Sequence, residues 1–234
     1  MKLNKQKGNT TLWGIVGMVV LVALVVGGSK YVSKNPAEKV ESDRTIVRGA
    51  ENSSVLLTEY ADFQCPACKS YTPILDELFL EYGDRVAFEF RHFPLRNIHP
   101  NADMASQSAE AAYLQGRFWE MHDKLYAGQE TWSRLGNPRN TFVAYAEELE
   151  LDMDKWNEDL MSQAVKNAVE ADLQMGRALR VPGTPTFFLN GEKIQPASIE
   201  DFRSLIDSAL ASDVNTEIEK TPLSITTTES SPER

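Results

Sequence analysis

Cysteine is scarce in this sequence, since its 234 residues contain only Cys65 and Cys68. This scarcity excludes a framework of several structural disulfides, which would need further pairs. Two residues separate the cysteines, and a pair this close has three uses. It can bond to itself, hold a metal with ligands from elsewhere, or carry out redox chemistry.

Histidine is nearly as rare, with only His92, His99 and His122 in the chain. A closed tetrahedral metal site needs four thiolate or imidazole ligands, and the histidines show no paired spacing relative to the cysteines. Each histidine is therefore interpreted as a surface residue or a hydrogen-bonded core residue. We expect no metal and no other cofactor.

Positive charge is in deficit, with 24 lysines and arginines against 34 acidic residues and a formal net charge of -10. Domains that bind nucleic acid carry a basic surface, so a nucleic-acid partner is excluded. Attachment of the globular part to anionic lipid is disfavoured for the same reason. The acidity is typical of a solvated, soluble surface.

A long apolar run occurs near the N-terminus, where residues 12–28 contain no charged side chain. A membrane-spanning helix needs at least about 17 apolar residues, and this run is just long enough. Lysines within residues 1–11 predict a cytoplasmic N-terminus and a translocated remainder. Residues 12–28 are thus predicted to be an uncleaved transmembrane signal anchor. The alternative is a cleaved signal peptide, although residues 26–29 fit a cleavage site only loosely.

Either alternative places the rest of the chain outside the cytosol, where disulfides are allowed. We expect a single-pass protein of the cell membrane, or, with cleavage, a secreted or periplasmic one. Residues 29–52 are polar and mixed in charge, which predicts a linker. Residues 212–234 are rich in Thr, Ser, Glu and Pro, which predicts a disordered tail. One globular domain is therefore assigned to residues 53–211.

Strands and helices alternate within this domain. Short β-branched and apolar runs predict three strands, at residues 54–60, 86–93 and 186–189. Asn190-Gly191 predicts a hairpin turn into a short return strand, residues 192–194. After Cys68, apolar residues recur with helical spacing at Tyr71, Leu75, Leu78 and Tyr82.

Residues 101–180 have helical composition almost throughout, and Trp156 and Leu160 begin the apolar stripe of a long last helix. Ser198 is predicted to cap a final amphipathic helix. The resulting order predicts an α/β sheet with helices on both faces. Because the block 101–180 is too long for a crossover connection, we expect it to contain an inserted helical subdomain.

The position of the cysteine pair favours redox chemistry. A purely structural disulfide here would close a four-residue loop and remove little entropy from the unfolded chain. Cys65 instead follows a buried strand at the start of a helix, where free backbone N–H groups and the helix dipole favour a thiolate. Cys68, one turn later, can attack and resolve a mixed disulfide, and Pro66 in the first turn sacrifices no needed donor.

Several further features accompany the pair: the motif Asp62-Phe63-x-Cys65-Pro66-x-Cys68, Glu59 before it, Pro73 inside the helix, Val181-x-Gly183-Thr184-Pro185-Thr186, and the helical insertion. With these, the chain resembles the DsbA-like thiol–disulfide oxidoreductases of the thioredoxin-fold superfamily, in their membrane-anchored bacterial form. The resemblance covers about residues 50–211. It implies a thioredoxin-like α/β fold with an inserted helical subdomain, here preceded by one transmembrane helix.

The resemblance also implies a role for each matching residue. Cys65 would be the exposed nucleophile, Cys68 its buried partner, and Glu59 the acid that shuttles protons beneath them. Thr184 and Pro185, joined by a cis bond, would line a groove in which main-chain groups pair with an extended substrate. Pro66 and Ala67 are assigned to the same substrate-binding region.

Ala67 departs from the pattern, because the best-known members of this family have a histidine just before the second cysteine. Alanine has no side-chain donor. The pKa of Cys65 is therefore expected to be less depressed than in those relatives, and the disulfide to be less oxidising.

Three functions are compatible with these residues. The first is an extracytoplasmic oxidoreductase that donates its disulfide to reduced, newly translocated proteins; the resemblance implies re-oxidation by a membrane partner of the DsbB or vitamin K epoxide reductase type. The second is a reductase or isomerase of the same fold. The third is a redox-inert, peptide-binding module, chaperone-like or associated with a transporter.

Overall fold

A five-stranded mixed sheet forms the centre of residues 45–220, the part of the chain that this computed structural model describes. In spatial order the strands are β1, β3, β2, β4 and β5. β2 and β3 run parallel, and the other neighbours are antiparallel. The strands span Ile46–Gly49 (β1), Leu56–Ala61 (β2), Ala87–His92 (β3), Thr186–Leu189 (β4) and Glu192–Ile194 (β5).

Helices cover both faces of the sheet, as the alternating pattern predicts. They span Pro66–Tyr82 (α1), Ala102–Tyr113 (α2), Phe118–Ala127 (α3), Gln129–Trp132 (α4), Arg139–Glu148 (α5), Met153–Met161 (α6), Gln163–Ala178 (α7) and Ile199–Lys220 (α8). α1 and α8 share an apolar cluster with one face of the sheet, through side chains such as Leu78, Phe88 and Phe202. α7 packs on the opposite face, where Leu173 joins Tyr60.

The inserted helical subdomain is confirmed, because α2 to α7 lie between β3 and β4. Its core surrounds Trp132, Phe142 and Trp156, which are fully buried. The same cluster includes Cys65 and Cys68. The inserted helices therefore supply part of the surroundings of the cysteine pair.

Local signals in the sequence are borne out around α1 and the hairpin. α1 continues past Pro73, with Leu75, Leu78 and Tyr82 buried on one face. Asn190 and Gly191 both have positive φ angles, of 51° and 81°. A two-residue hairpin turn with this handedness matches the twist of the strands that it joins.

The predicted linker, residues 29–52, extends too far, because Ile46–Gly49 form β1 and pair antiparallel with β3. The β-branched Ile46 is 2% exposed and belongs to the apolar core. Pairing and burial thus outweigh the polar composition of the neighbouring residues. The predicted anchor, residues 12–28, lies outside the described residues. Within residues 45–220, no helix combines the length and apolar character needed to cross a membrane.

Two predicted boundaries are wrong, one for the long last helix of the insertion and one for the start of the tail. The long helix expected from Trp156 onward is interrupted at Ser162, whose side chain accepts a hydrogen bond from the N–H of Val165 and so caps α7. The predicted tail begins too early, because α8 continues to Lys220.

Candidate active site

Cys65 lies between β2 and α1, where the sequence predicts the nucleophile. It is the residue that caps α1, and Pro66 occupies the first helical position. Cys68 follows in the first turn, and both thiols are free. This geometry directs the unsatisfied N–H groups at the helix start toward the Cys65 sulfur.

The predicted nucleophile is less accessible to solvent than expected. Cys65 is 6% exposed and Cys68 is 1% exposed, so the prediction of an exposed Cys65 is wrong. The loop before β4 covers it: Cys65 Sγ lies 3.3 Å from the carbonyl oxygen of Thr184. The predicted cis bond between Thr184 and Pro185 is present.

Pro66 and Ala67 are exposed beside the partly buried pair Thr184 and Pro185. The structure therefore places Thr184 against Cys65, which Pro66 and Ala67 follow directly in the chain.

The two thiols have opposite acidities. The pKa of Cys65 is lowered to about 5, chiefly by a hydrogen bond from the thiol of Cys68, and further by Thr184 and by the backbone N–H groups of Cys68 and Ala67. Burial opposes this effect. The pKa of Cys68 is raised, because burial disfavours its thiolate and because its proton is shared with Cys65.

Glu59 lies on β2, beneath the cysteine pair, and is 7% exposed. Burial raises the pKa of its carboxyl to about 8, Arg48 partly offsets the rise, and the charge of Cys65 adds to it. Glu59 also acts electrostatically on Cys68. A buried carboxyl with a pKa near neutral pH exists in both forms, so it can accept the proton of Cys68 when ionised and return it when protonated.

Asp62 organises the loop that carries Cys65, a role that the motif alone did not reveal. Its carboxylate is fully buried and accepts hydrogen bonds from the N–H of Gln64 at 2.7 Å and the N–H of Leu95 at 2.8 Å. His99 Nδ1 lies 2.7 Å from the same carboxylate. Asp62 thus connects the active-site loop to the chain that follows β3.

Gln129, on α4, holds the same loop from the inserted subdomain. Its side-chain amide donates to the backbone carbonyls of Phe63, at 2.7 Å, and Cys65, at 2.9 Å. Sequence reasoning missed this residue, because a single polar side chain within a helical stretch carries no periodic signal.

Three acidic or imidazole side chains lie together elsewhere, at His92, Glu110 and Asp172. His92 Nε2 is 2.9 Å from Glu110 Oε1, and Asp172 accepts from Arg91 at 3.0 Å and from the backbone N–H of His92 at 3.1 Å. Nε2 of His92 and both carboxylates already have protein partners, so the group is interpreted as a buried polar network.

The thioredoxin family model Thioredoxin_4 matches residues 41–208, which include the whole cysteine region and the inserted helices. The chain belongs to this family. Among curated proteins, the Na(+)/H(+) antiporter NhaA 3 of Salinispora tropica is 41% identical over 174 residues, covering 74% of this chain and 26% of that protein. NhaA 1 of Mycolicibacterium vanbaalenii is 37% identical over 156 residues, 65% of this chain and 24% of that protein. This chain thus spans about a quarter of the length of these relatives.

Solved structures show the same fold. Oxidised BdbD from Bacillus subtilis has a TM-score of 0.62 and 22% identity, covering 71% of this chain and 93% of that one. Wolbachia pipientis alpha-DsbA1 has a TM-score of 0.64 and 18% identity, covering 75% and 95%. The catalytic domain of Proteus mirabilis ScsC has a TM-score of 0.59 and 18% identity, covering 73% and 93%. The fold that the resemblance to the DsbA-like proteins implies, a thioredoxin-like α/β fold with an inserted helical subdomain, is therefore confirmed.

Proposed function

We propose that the protein is an extracytoplasmic thiol–disulfide oxidoreductase that donates a Cys65–Cys68 disulfide to reduced, newly translocated proteins. Residues 12–28 would anchor it in the cell membrane as a single-pass protein. A membrane partner of the DsbB or vitamin K epoxide reductase type would restore the disulfide.

The opposite acidities of the two thiols carry this proposal. A substrate thiolate attacks Cys65 Sγ of the disulfide, forms a mixed disulfide and releases Cys68, which takes up a proton. A second substrate thiolate then attacks the substrate sulfur and releases Cys65 as a thiolate. Because the pKa of Cys65 is about 5, this leaving group is stable at neutral pH and departs readily.

The same acidity favours the oxidising direction. Interactions that stabilise the Cys65 thiolate exist only in the reduced protein, so they raise the reduction potential of the disulfide. A reductase needs the opposite balance. The reductase or isomerase alternative therefore has less support, and a redox-inert peptide-binding module would not need an acidified thiol.

The antiporter activity named for the curated relatives is not proposed for this chain. The matched stretch makes up only about a quarter of each relative. The proposed substrates include transporters and other membrane proteins that carry cysteines outside the cytosol.

Two measurements test the proposal. Oxidised protein should form disulfides in a reduced, unfolded substrate, and Cys65→Ala should abolish this activity. Trapping of thiols in intact cells should find the cysteine pair mostly as a disulfide. A pair found mostly as dithiols would favour a reductase, and an inactive protein with a phenotypically silent Cys65→Ala would favour the binding module.

A further inference from the structure

A small cavity lies beneath the active site, on the side of the sheet that faces α1 and α3. Its volume is about 20 Å³, and its lining includes Arg48, Glu59, Trp119 and His122. A polar site of more than roughly 15 Å³ can hold one water molecule when it offers two or more hydrogen-bonding partners. Glu59 and Arg48 provide such partners on two sides of this cavity.

Arg48 makes the cavity polar. Its guanidinium is held over the rings of Phe79, at 4.5 Å, and Trp119, at 4.6 Å, and it donates to Asp76 at 3.0 Å. Its Nε is buried and has no hydrogen-bond partner in the protein. A buried donor of this kind costs free energy unless a water molecule satisfies it.

His122 connects the cavity to the surface. Its side chain is 4% exposed, and its Nδ1 lies 2.8 Å from Oδ1 of Asp123, a side chain that is 60% exposed. Burial lowers the pKa of His122, which favours the neutral imidazole at pH 7. When Nδ1–H donates to the Asp123 carboxylate, Nε2 carries the lone pair and can accept a proton.

We propose that one water molecule in this cavity and the imidazole of His122 form a proton relay between Glu59 and the solvent at Asp123. The proposal rests on the disulfide exchange proposed above and gives its buried acid a route for protons. Glu59 itself is 7% exposed and lies under the cysteine pair, so its proton needs such a route in each turnover.

The proton balance during re-oxidation is as follows. The Cys65 thiolate attacks the partner's disulfide, and one partner sulfur leaves as a thiolate. Glu59, which holds a proton near neutral pH because its pKa is about 8, first gives this proton to the water molecule, which passes one to His122 Nε2, while Nδ1–H is released toward Asp123 and solvent. The Glu59 carboxylate then takes the proton of Cys68, which attacks Cys65 Sγ, forms the Cys65–Cys68 bond and releases the second partner thiolate.

The test measures the intramolecular step with glutathione disulfide as the oxidant. Acid quenching at successive times follows the mixed disulfide of Cys65 as it converts to the Cys65–Cys68 disulfide. For His122→Gln we expect this conversion to slow by at least about tenfold, less than the roughly hundredfold or greater contribution of a general acid or base that acts on the reacting group itself. Asp123→Asn should slow it less, and Asp84→Asn, an exposed matched control, should leave it unchanged.

The equilibrium constant for disulfide exchange with glutathione distinguishes a proton relay from a structural or electrostatic role of His122. A relay speeds both directions equally, so His122→Gln should leave this constant unchanged while the solvent deuterium isotope effect on the conversion rises. An unchanged rate, or a rate loss matched by an equal change in the equilibrium constant, would overturn the relay.

If His122→Gln fails to fold, Asp123→Asn still tests the relay, because it changes a mostly exposed side chain. A conversion rate in Asp123→Asn equal to that of the unaltered protein would then reject the relay. A wild-type protein that exchanges no disulfide would instead contradict the proposed function.

Discussion

The side-chain amide of Gln129 donates a 2.9 Å hydrogen bond to the backbone carbonyl of Cys65. The inserted helices therefore hold the main chain of the nucleophile directly. A second hydrogen bond from the same amide, to the carbonyl of Phe63, fixes the loop on the other side. Gln129 is 3% exposed, so no bulk water is available to replace it.

Removing this amide should destabilise the domain. Gln129→Ala removes the side-chain donor to the Phe63 carbonyl and leaves the Cys65 carbonyl with only the N–H of Lys69, so we expect the free energy of unfolding to fall by roughly 1–3 kcal/mol. Urea denaturation measures this loss. Gln163→Ala, at an exposed position on α7, is the matched control and should change stability by less than about 0.5 kcal/mol. Equal effects at the two positions would show that the Gln129 contacts contribute nothing specific.

The fold follows largely from local signals in the sequence. The spacing of Leu75, Leu78 and Tyr82 predicts one buried face of α1, and Asn190-Gly191 predicts the hairpin, because both depend only on neighbouring residues. β1 depends on pairing with β3, which a four-residue segment does not reveal. Ser162 shows the same limit, since a serine caps a helix only where the chain has already turned.

The residues of the candidate site also fall into two groups, those that the local sequence predicts and those that only tertiary packing brings together. Cys65, Cys68 and Pro66 lie in one motif and are predictable from it. Gln129 and Arg48 reach the site from other elements, and their contacts depend on tertiary packing. The low exposure of Cys65 has the same origin, because the covering carbonyl of Thr184 lies 119 positions later in the chain.

The acidity of Cys65 should depend on its two side-chain donors. Cys68→Ala removes the largest stabilising contact, and Thr184→Val removes a buried hydroxyl that has no hydrogen-bond partner in the protein and is free to donate to the thiolate. In both variants the pKa of Cys65 should rise from about 5 toward the ordinary value near 8.5, with the larger rise in Cys68→Ala. The pH dependence of alkylation by iodoacetamide measures it. A midpoint that stays near 5 in Cys68→Ala would assign the acidity to the helix start alone.

The buried carboxyl of Glu59 should make the folded protein less stable as the pH rises. Its folded-state pKa is about 8, against a model value of 4.5 for the unfolded chain. The unfolded state therefore loses its proton first, and stability falls between about pH 4.5 and 8. Glu59→Gln removes this penalty, so the oxidised variant should exceed the oxidised wild type by roughly 2–4 kcal/mol at pH 8 and by little at pH 4.5. The exposed Glu192→Gln serves as the control in urea denaturation at both pH values. A gain independent of pH would mean that the carboxyl of Glu59 ionises normally.

Ala67 offers a way to tune the disulfide. It is exposed at the second position of α1, next to the Cys65 sulfur, and contributes only its backbone N–H to the thiolate. Ala67→His adds an imidazole that can donate to the thiolate or carry a positive charge beside it. We expect the pKa of Cys65 to fall below about 5 and the equilibrium with glutathione to shift by about tenfold or more toward the reduced protein. Ala67→Phe, a ring without a donor, is the matched control and should leave the equilibrium nearly unchanged. An equal shift in both variants would mean that the size of the side chain, and not its hydrogen bonding, causes the effect. No shift in either variant would contradict the expectation that Ala67 makes this protein a weaker oxidant than the relatives that carry histidine.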